Sequence, residues 1–348
     1  MILTCILILL FVGSIGCLAF IFRAPNLSQF DQPAPDLMVS PDQVSPLHHE
    51  VLKRLNQYHS LPRTMDIEEA RKRFSDMFTK HVDVTVLDVD ISGLSAEWVC
   101  ATGANPEKRL LYIHGGAFFV GSPRTHRHIT AEISRLTGFS VLSIDYRMQP
   151  EHRITQCHED ARKAYEWILK NGPSTSSEPS AIFVAGDSAG GNLTLALIAW
   201  ARDHGWRKPN GAIAISPLTD ITLSGTSWKT NLATDPFLGP GLGRLKSIPV
   251  VVRNILSRFT NGKSGNHPHL SPLFGPLKDL PPSLIQASRD EVLYDDAVRY
   301  TNKARQAGSD VTLQVWPVMV HVFQGFDLPE ADQAFTLIAK FVAEKSQA

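Results

Sequence analysis

Short apolar runs alternate with helical stretches over most of this 348-residue chain, and this alternation constrains the fold more than any other feature. The runs are at 110–113, 141–144, 181–185, 212–215, 283–287 and 312–315. Several are separated by stretches with apolar residues at helical spacing, at 129–137, 161–171 and 190–204. Strands covered by helices on both faces are apolar throughout. The sequence therefore predicts an α/β fold with a mostly parallel sheet.

The N-terminus is predicted to be a membrane anchor. Residues 1–22 contain no charged side chain, and a helix of that length reaches about 33 Å, enough to cross a hydrocarbon core of about 30 Å. Residues 1–23 are therefore interpreted as a transmembrane signal-anchor of a single-pass protein, with the endoplasmic reticulum as a candidate location. A cleaved signal peptide, which would make the protein secreted, is the alternative.

The rest of the chain divides into a linker and one large domain. Five prolines in residues 24–46 predict a linker that cannot form a long helix. The domain then covers residues 47–348. Two predicted helices near 47–80 and a Gly- and Pro-punctuated stretch at 217–276, which lacks a good strand, are expected to form a cap over the sheet.

Composition excludes several classes of function. The chain has 34 Lys and Arg against 34 Asp and Glu, so it lacks the basic excess typical of a nucleic-acid binder. Its four cysteines include no C-x-x-C pair and lie near no His-rich ligand spacing, which argues against a disulfide framework or a zinc site.

The sequence Gly-Asp-Ser-Ala-Gly-Gly at 186–191 carries the clearest chemical signal. It directly follows a predicted buried strand and directly precedes a predicted helix, which is the context of a nucleophile elbow. The small neighbours let Ser188 project its hydroxyl. The N–H of Ala189, at the helix N-terminus, is then placed to stabilise negative charge. Asp187 precedes the nucleophile and is expected to have a structural hydrogen-bonding role.

A second motif, His-Gly-Gly-Ala at 114–117, ends another predicted strand. Two consecutive glycines allow the backbone to direct its N–H groups toward an oxyanion. Gly115 and Gly116 are therefore candidate oxyanion-hole donors. His114 is expected to fix this loop rather than to act as a base.

With these motifs and Asp145–His152, the chain resembles the hormone-sensitive-lipase and arylacetamide-deacetylase branch of the α/β-hydrolase family. The resemblance covers about residues 45–345. It implies an α/β-hydrolase fold with an eight-stranded sheet, a cap formed partly by N-terminal helices, and ester hydrolysis through an acyl-enzyme without a cofactor. His321 follows the last predicted strand and matches the family's H-x-F motif, so it is the expected general base.

Two adjacent carboxylates compete for the role of triad acid. Asp290 has the residue type usual in the family, whereas Glu291 fits the D-x-x-x-D spacing that ends at Asp295. Glu291 also lies 30 residues before His321 (321 − 291), about the interval that the family keeps. Glu291 is therefore predicted to complete the catalytic set with Ser188 and His321, and Asp290 remains the alternative.

The predicted function is hydrolysis of carboxylic esters of an apolar small molecule, as an esterase or deacetylase. Acyl transfer or thioester hydrolysis would use the same residues and is an alternative. A non-catalytic receptor on the same scaffold is a further alternative, although such proteins lose the histidine that is present here. Four aromatic residues are candidates either for the substrate pocket or for the core: Phe118, Phe119, Trp228 and Phe237.

Overall fold

A nine-stranded sheet forms the centre of the protein. The computed structural model describes residues 25–32, 35–38, 44–60, 66–243 and 247–347. In chain order the strands are β1 (Leu37–Met38), β2 (Thr85–Asp90), β3 (Ser95–Cys100), β4 (Asn105–Ile113), β5 (Phe139–Ile144), β6 (Ala181–Asp187), β7 (Gly211–Ile215), β8 (Ser283–Ser288) and β9 (Val311–Trp316). Their order across the sheet is β1-β9-β8-β7-β6-β4-β5-β3-β2.

All neighbouring strands pair in parallel except β2 with β3 and β3 with β5. This confirms the predicted α/β-hydrolase architecture with a mostly parallel sheet. The sheet has nine strands rather than the expected eight, because β1 adds to the edge beside β9.

Helices cover both faces of the sheet. The described helices are α1 (Leu47–Ser60), α2 (Ile67–Phe78), α3 (Pro123–Thr137), α4 (Ile154–Ile168), α5 (Ala189–Asp203), α6 (Ser227–Thr230), α7 (Gly239–Leu242), α8 (Val250–Asn261), α9 (Tyr294–Gln306) and α10 (Pro329–Lys345). Short 3₁₀ turns occur at Ser28–Phe30, Pro272–Phe274 and Phe323–Gly325. Buried residues of α3 and α10 pack on one face of the sheet, and those of α4 and α5 pack on the other.

The structure bears differently on the two predicted N-terminal segments. The predicted anchor, residues 1–23, lies outside the described residues. Among the helices that the structure describes, none is both long and apolar enough to cross a bilayer. The second segment is the stretch interpreted as a linker, residues 24–46. Its described parts pack on the domain: Leu27 and Phe30 are buried, and β1 pairs with β9.

Three connections at the carboxyl ends of the central strands position the candidate site. Ser188 follows β6, Glu291 follows β8 by three residues, and His321 follows β9 by five. Carboxyl ends of parallel strands meet at one edge of a sheet, where ligands of open α/β sheets bind. Residues more than 100 positions apart in the sequence therefore come together there.

Candidate active site

Ser188 occupies a strained turn between β6 and α5. Its φ and ψ are 53° and −116°, a conformation that costs energy for a residue with a side chain. The turn also requires glycine two residues after Ser188, because a Cβ on Gly190 would lie 1.9 Å from the Ile113 carbonyl oxygen. The predicted nucleophile elbow is therefore present, and the Ser188 hydroxyl projects at the edge of the sheet.

His321 joins Ser188 to Glu291 by two hydrogen bonds. The distance from His321 Nε2 to Ser188 Oγ is 2.9 Å, and the distance from His321 Nδ1 to Glu291 Oε2 is 2.6 Å. Both His321 and Glu291 are buried. The other carboxylate oxygen, Glu291 Oε1, accepts a hydrogen bond from the Ser288 N–H at 3.0 Å, which holds the carboxylate in place.

Asp290 is half-buried, and its backbone is held by two hydrogen bonds. Its backbone N–H donates to Ser288 Oγ at 3.2 Å, and its carbonyl accepts from Thr234 Oγ1 at 3.0 Å. Within the described part of the chain, no hydrogen bond joins the Asp290 carboxylate to His321. Of the two adjacent carboxylates, the geometry brings only Glu291 to the imidazole.

The environment of His321 favours its protonated form. Burial lowers its pKa, but the hydrogen bond and the negative charge of Glu291 outweigh this effect, so the pKa is raised above the ordinary 6.5. An imidazole in this setting is stabilised as it accepts a proton. Ser188 Oγ lies within hydrogen-bonding distance to supply that proton.

The loop after β4 presents a different set of donors from the predicted one. The N–H of Gly115 donates to Asp187 Oδ1 at 3.0 Å, so this predicted oxyanion donor is already engaged, and Gly115 is not among the residues that line the cavity beside Ser188. The next two residues, Gly116 and Ala117, both have positive φ, at 117° and 56°. Their N–H groups make no hydrogen bond within the described residues, and both residues line the cavity that contains Ser188.

Ala189 supplies the opposite side of this donor set. It is the first residue of α5, where the backbone N–H has no partner inside the helix. A tetrahedral oxygen on a substrate attached to Ser188 would therefore meet N–H groups from two chain segments. The sequence analysis did not identify Ala117 as a candidate donor. The signal that could have identified it is its position, third after the histidine of the His-Gly-Gly-Ala motif.

His114 is buried within the same loop. Its Nδ1 lies 2.7 Å from the Gly115 carbonyl oxygen, and its ring stacks on Tyr146 with centroids 4.3 Å apart. Burial lowers the pKa of His114 to about 3, so the ring is neutral at physiological pH. These contacts agree with the expected structural role.

A cavity of about 200 Å³ opens beside Ser188 and His321. Most of its wall is apolar and comes from several separate parts of the chain. Residues of this apolar wall include Tyr58, Phe74, Phe78, Val120, Ile129 and Phe237. The ring centroid of Phe237 lies 5.9 Å from that of His321. Helices α1 and α2 thus contribute to the cavity, in the region expected to belong to the cap.

Of the four aromatic candidates, Phe237 is the one that lines the cavity. Phe118 and Trp228 are buried in the protein interior, and Phe119 is exposed. Sequence reasoning missed the residues from α1 and α2 and also His126 and His128 of α3, which line the cavity as well. Apolar spacing indicated that these helices bury one face, but it could not indicate which residues face a cavity.

Comparison with known proteins decides the family. A sequence profile described as the alpha/beta hydrolase fold matches residues 110–325, more than half of the chain. The chain belongs to the α/β-hydrolase family. It is 34% identical over 283 residues to an acetyl-hydrolase of Streptomyces hygroscopicus, covering 81% of this chain and 89% of the relative. It is 33% identical over 263 residues to the esterase LipU of Mycobacterium tuberculosis, covering 74% and 86%.

Solved structures place the chain in the branch that its motifs indicated. An esterase from the bacterial hormone-sensitive lipase family shares 34% identity and superposes with a TM-score of 0.77, covering 87% of this chain and 99% of that one. The esterase EstE5, in a crystal soaked with p-nitrophenyl butyrate, shares 36% identity with a TM-score of 0.78, covering 87% and 100%. Two of these relatives come from bacteria, and a third belongs to a bacterial lipase family. These comparisons contradict the predicted membrane-anchored localisation.

Proposed function

We propose that this α/β-hydrolase cleaves carboxylic esters, with Ser188 as nucleophile, His321 as general base and Glu291 as the acid that orients it. The observation that carries the proposal is the continuous pair of hydrogen bonds from Glu291 through His321 to Ser188, 2.6 and 2.9 Å long. Relatives named esterase and acetyl-hydrolase support the reaction class.

Acylation proceeds in two steps, the attack of Ser188 on the ester and the collapse of the tetrahedral intermediate. Ser188 Oγ attacks the ester carbonyl carbon while its proton passes to His321 Nε2, and the carbonyl oxygen becomes negative. The N–H groups of Gly116, Ala117 and Ala189 stabilise that oxygen. When the carbon–oxygen bond to the alcohol breaks, His321 returns the proton to the leaving alcohol, and the acyl group remains on Ser188.

Deacylation repeats the same steps with water. His321 Nε2 takes a proton from a water molecule as the water oxygen attacks the acyl carbon. Collapse of the second tetrahedral intermediate breaks the bond to Ser188 Oγ, which recovers a proton from His321. Throughout both steps Glu291 stabilises the imidazolium and keeps the Nδ1 proton in place.

We assign small acyl groups as the preferred substrates. The cavity of about 200 Å³ lies below the range of about 300–1,000 Å³ that is usual for pockets holding drug-sized ligands, and its wall is mostly apolar. A short aliphatic acyl chain fits this volume and this chemistry. The relative named acetyl-hydrolase supports the same preference.

A labelling experiment tests the assignment of the nucleophile. A fluorophosphonate probe should label the native protein at Ser188, and Ser188→Ala should abolish both labelling and ester turnover. Ser224→Ala is a matched control, since Ser224 is bound to Asp220 away from the cavity and should leave both readouts intact. Labelling of the Ser188→Ala protein at the native level would refute the proposal.

A series of p-nitrophenyl esters tests the acyl preference. We expect kcat/KM to be highest for acetate to butyrate and to fall at least tenfold by octanoate, because a longer chain exceeds the cavity. Phe78→Leu should raise the octanoate-to-acetate ratio by removing part of the wall, whereas Phe259→Leu, at an exposed position on α8, should not change it. Equal kcat/KM for all chain lengths would exclude the preference.

Adding an alcohol acceptor and measuring transferred ester would separate hydrolysis from acyl transfer.

A further inference from the structure

A buried carboxylate lies directly behind the proposed oxyanion hole. Asp187 Oδ1 accepts hydrogen bonds from the Tyr112 hydroxyl at 2.7 Å and from the Gly115 N–H at 3.0 Å. A Cβ on Gly115 would lie only 2.1 Å from Asp187 Oδ2, so the loop backbone sits against the carboxylate. Asp187 therefore fixes the segment that continues into Gly116.

This position creates an electrostatic problem for the reaction. Asp187 is two residues before Ala189, and its partner Gly115 is one residue before Gly116, so the carboxylate is close to donors on both sides. Burial raises the pKa of Asp187, but interactions with His126, Tyr112 and His114 outweigh this effect and lower it. An ionised carboxylate would oppose the negative charge that develops on the substrate oxygen, since charges in a desolvated site interact over several ångströms.

A chain of contacts from α3 brings an imidazole to this carboxylate. The Ser122 N–H donates to Thr125 Oγ1 at 2.9 Å, Thr125 Oγ1 lies 2.8 Å from His126 Nδ1, and His126 Nε2 lies 3.4 Å from Asp187 Oδ2. His126 is buried, and it lines the same cavity as Ser188.

The contacts of Nδ1 determine which ring nitrogen of His126 carries a proton. Nδ1 lies 2.8 Å from Thr125 Oγ1 and 3.2 Å from the Ser122 carbonyl oxygen. If the Thr125 hydroxyl donates to Nδ1, the neutral ring carries its proton on Nε2, and a donor lies 3.4 Å from Asp187 Oδ2. If that hydroxyl donates to the Ser122 carbonyl, 2.9 Å away, Nδ1 is the donor of the neutral ring. The role proposed for His126 requires the first arrangement, in which Nε2 presents its proton to the carboxylate.

We propose that His126 is a positioning residue that compensates the Asp187 carboxylate, so that the carboxylate can hold the oxyanion loop without opposing the developing oxyanion. The proposal rests on the proposed function, because it requires a tetrahedral oxyanion beside Ser188. His126 acts through Asp187 and the loop and makes no contact with the reacting atoms. The site then contains two imidazole–carboxylate pairs. Glu291 and His321 handle the proton, and Asp187 and His126 position the oxyanion loop with their charges balanced.

Two nearly isosteric substitutions test this role. His126→Gln can keep a donor near the position of Nε2, whereas His126→Met has similar length and no donor. Because residues in one contact network are energetically coupled, we expect His126→Met to lower kcat about 20-fold, with KM changed less than twofold, and His126→Gln to recover most of the loss. A trifluoromethyl ketone, which forms a tetrahedral adduct with the serine, should lose affinity in proportion to kcat.

The charge itself is tested in an Asp187→Asn background. Asparagine keeps an acceptor for Tyr112 and Gly115 but carries no charge, so adding His126→Met should then cost less than threefold in kcat. If His126 has a purely structural role, His126→Met should lower kcat by about the same factor in the native protein and in the Asp187→Asn protein. If circular dichroism shows that the Asp187→Asn protein does not fold, the comparison of His126→Gln with His126→Met, by kcat and by affinity for the ketone, tests the proposal without it.

Two results would overturn the inference: equal kcat for His126→Met and His126→Gln, or a His126→Met deficit that is undiminished in the Asp187→Asn background. Failure of the proposed function would be seen separately. In that case the native protein would neither turn over esters nor react with fluorophosphonate at Ser188, whatever residue stands at 126.

Discussion

Glu291 forms two hydrogen bonds at once, one with His321 Nδ1 and one from the Ser288 N–H. We expect Glu291→Gln to lower kcat about 10³- to 10⁴-fold, because an amide cannot stabilise the imidazolium and can donate to Nδ1, which favours the wrong tautomer. Asp290→Asn is the matched control and should keep most of the native kcat. Steady-state kinetics with p-nitrophenyl acetate measures both, and a larger loss in Asp290→Asn would transfer the acid role to Asp290.

The raised pKa of His321 sets the lower limit of the active pH range. The neutral ring accepts the Ser188 proton, so kcat/KM should fall as the pH decreases through a pKa above the ordinary 6.5. In Glu291→Gln the hydrogen bond and charge that raise this pKa are lost, so the residual activity should persist to lower pH. Profiles from about pH 5 to 9 check this. An identical midpoint in both proteins would contradict it.

Sequence motifs indicated the side chains that the structure brings together better than they indicated the free backbone donors. Ser188 and His321 follow strands within recognisable motifs, and spacing favoured Glu291, which the structure brings to His321. The Gly115 N–H, which was expected to face an oxyanion, is engaged by a side chain 72 residues away, because Asp187 accepts its hydrogen bond. No local pattern reports which of several adjacent N–H groups is already engaged.

At the scale of elements, the loop between β4 and α3 leaves no space for a larger residue at Gly116. Its φ of 117° is unfavourable for side chains, and a Cβ there would lie 1.9 Å from the Val120 carbonyl oxygen. We expect Gly116→Ala to shift the loop and lower kcat about 100-fold, equivalent to about 3 kcal/mol of transition-state stabilisation, since one oxyanion donor contributes about that much.

Gly308→Ala is the control for this substitution. Gly308 has a similar positive φ of 88° at a remote turn, and a Cβ there meets nothing within 4 Å. It should impose backbone strain on the protein without changing kcat. A kcat for Gly116→Ala within a fewfold of the native value, measured with p-nitrophenyl acetate, would show that the loop does not supply the donors.

Element boundaries were predicted where burial is continuous and missed where it is not. The run at 110–113 is only the buried half of β4, which begins at Asn105 with four exposed residues. β1 was not foreseen because two residues among prolines carry no periodic pattern; pairing with β9 defines them. Cavity residues such as Tyr58 and Phe78 depend on how α1 and α2 pack over the sheet, which apolar spacing alone cannot determine.

At the scale of the whole molecule, the segment before α1 joins the sheet edge to α9. Leu27 and Phe30 are buried against the same cluster as α9, and the carbonyl of Phe30 accepts a hydrogen bond from Asn302 Nδ2 at 2.9 Å. Two ion pairs add to this contact, Asp31 with Arg299 and Asp36 with Arg305. The segment therefore closes one edge of the fold and lies away from Ser188.

Removing this segment should cost stability and leave the chemistry intact. Burying a large apolar side chain contributes about 1.5–3 kcal/mol, and the segment buries both Leu27 and Phe30. One kcal/mol shifts Tm by about 2–4 °C in domains of 150–250 residues. We therefore expect a chain that begins at Val44 to melt at least about 5 °C below one that begins at Pro25, with an unchanged kcat at 20 °C.

Calorimetry of the two truncated chains measures the difference, and Phe30→Ala in the longer chain separates the causes. If apolar burial dominates, this single change should reproduce a large part of the loss in Tm. A small effect of Phe30→Ala combined with a large effect of truncation would assign the stability to β1 and the two ion pairs. Equal Tm values for both truncated chains would show that the segment adds nothing to the fold, and the linker interpretation would then hold despite its packing.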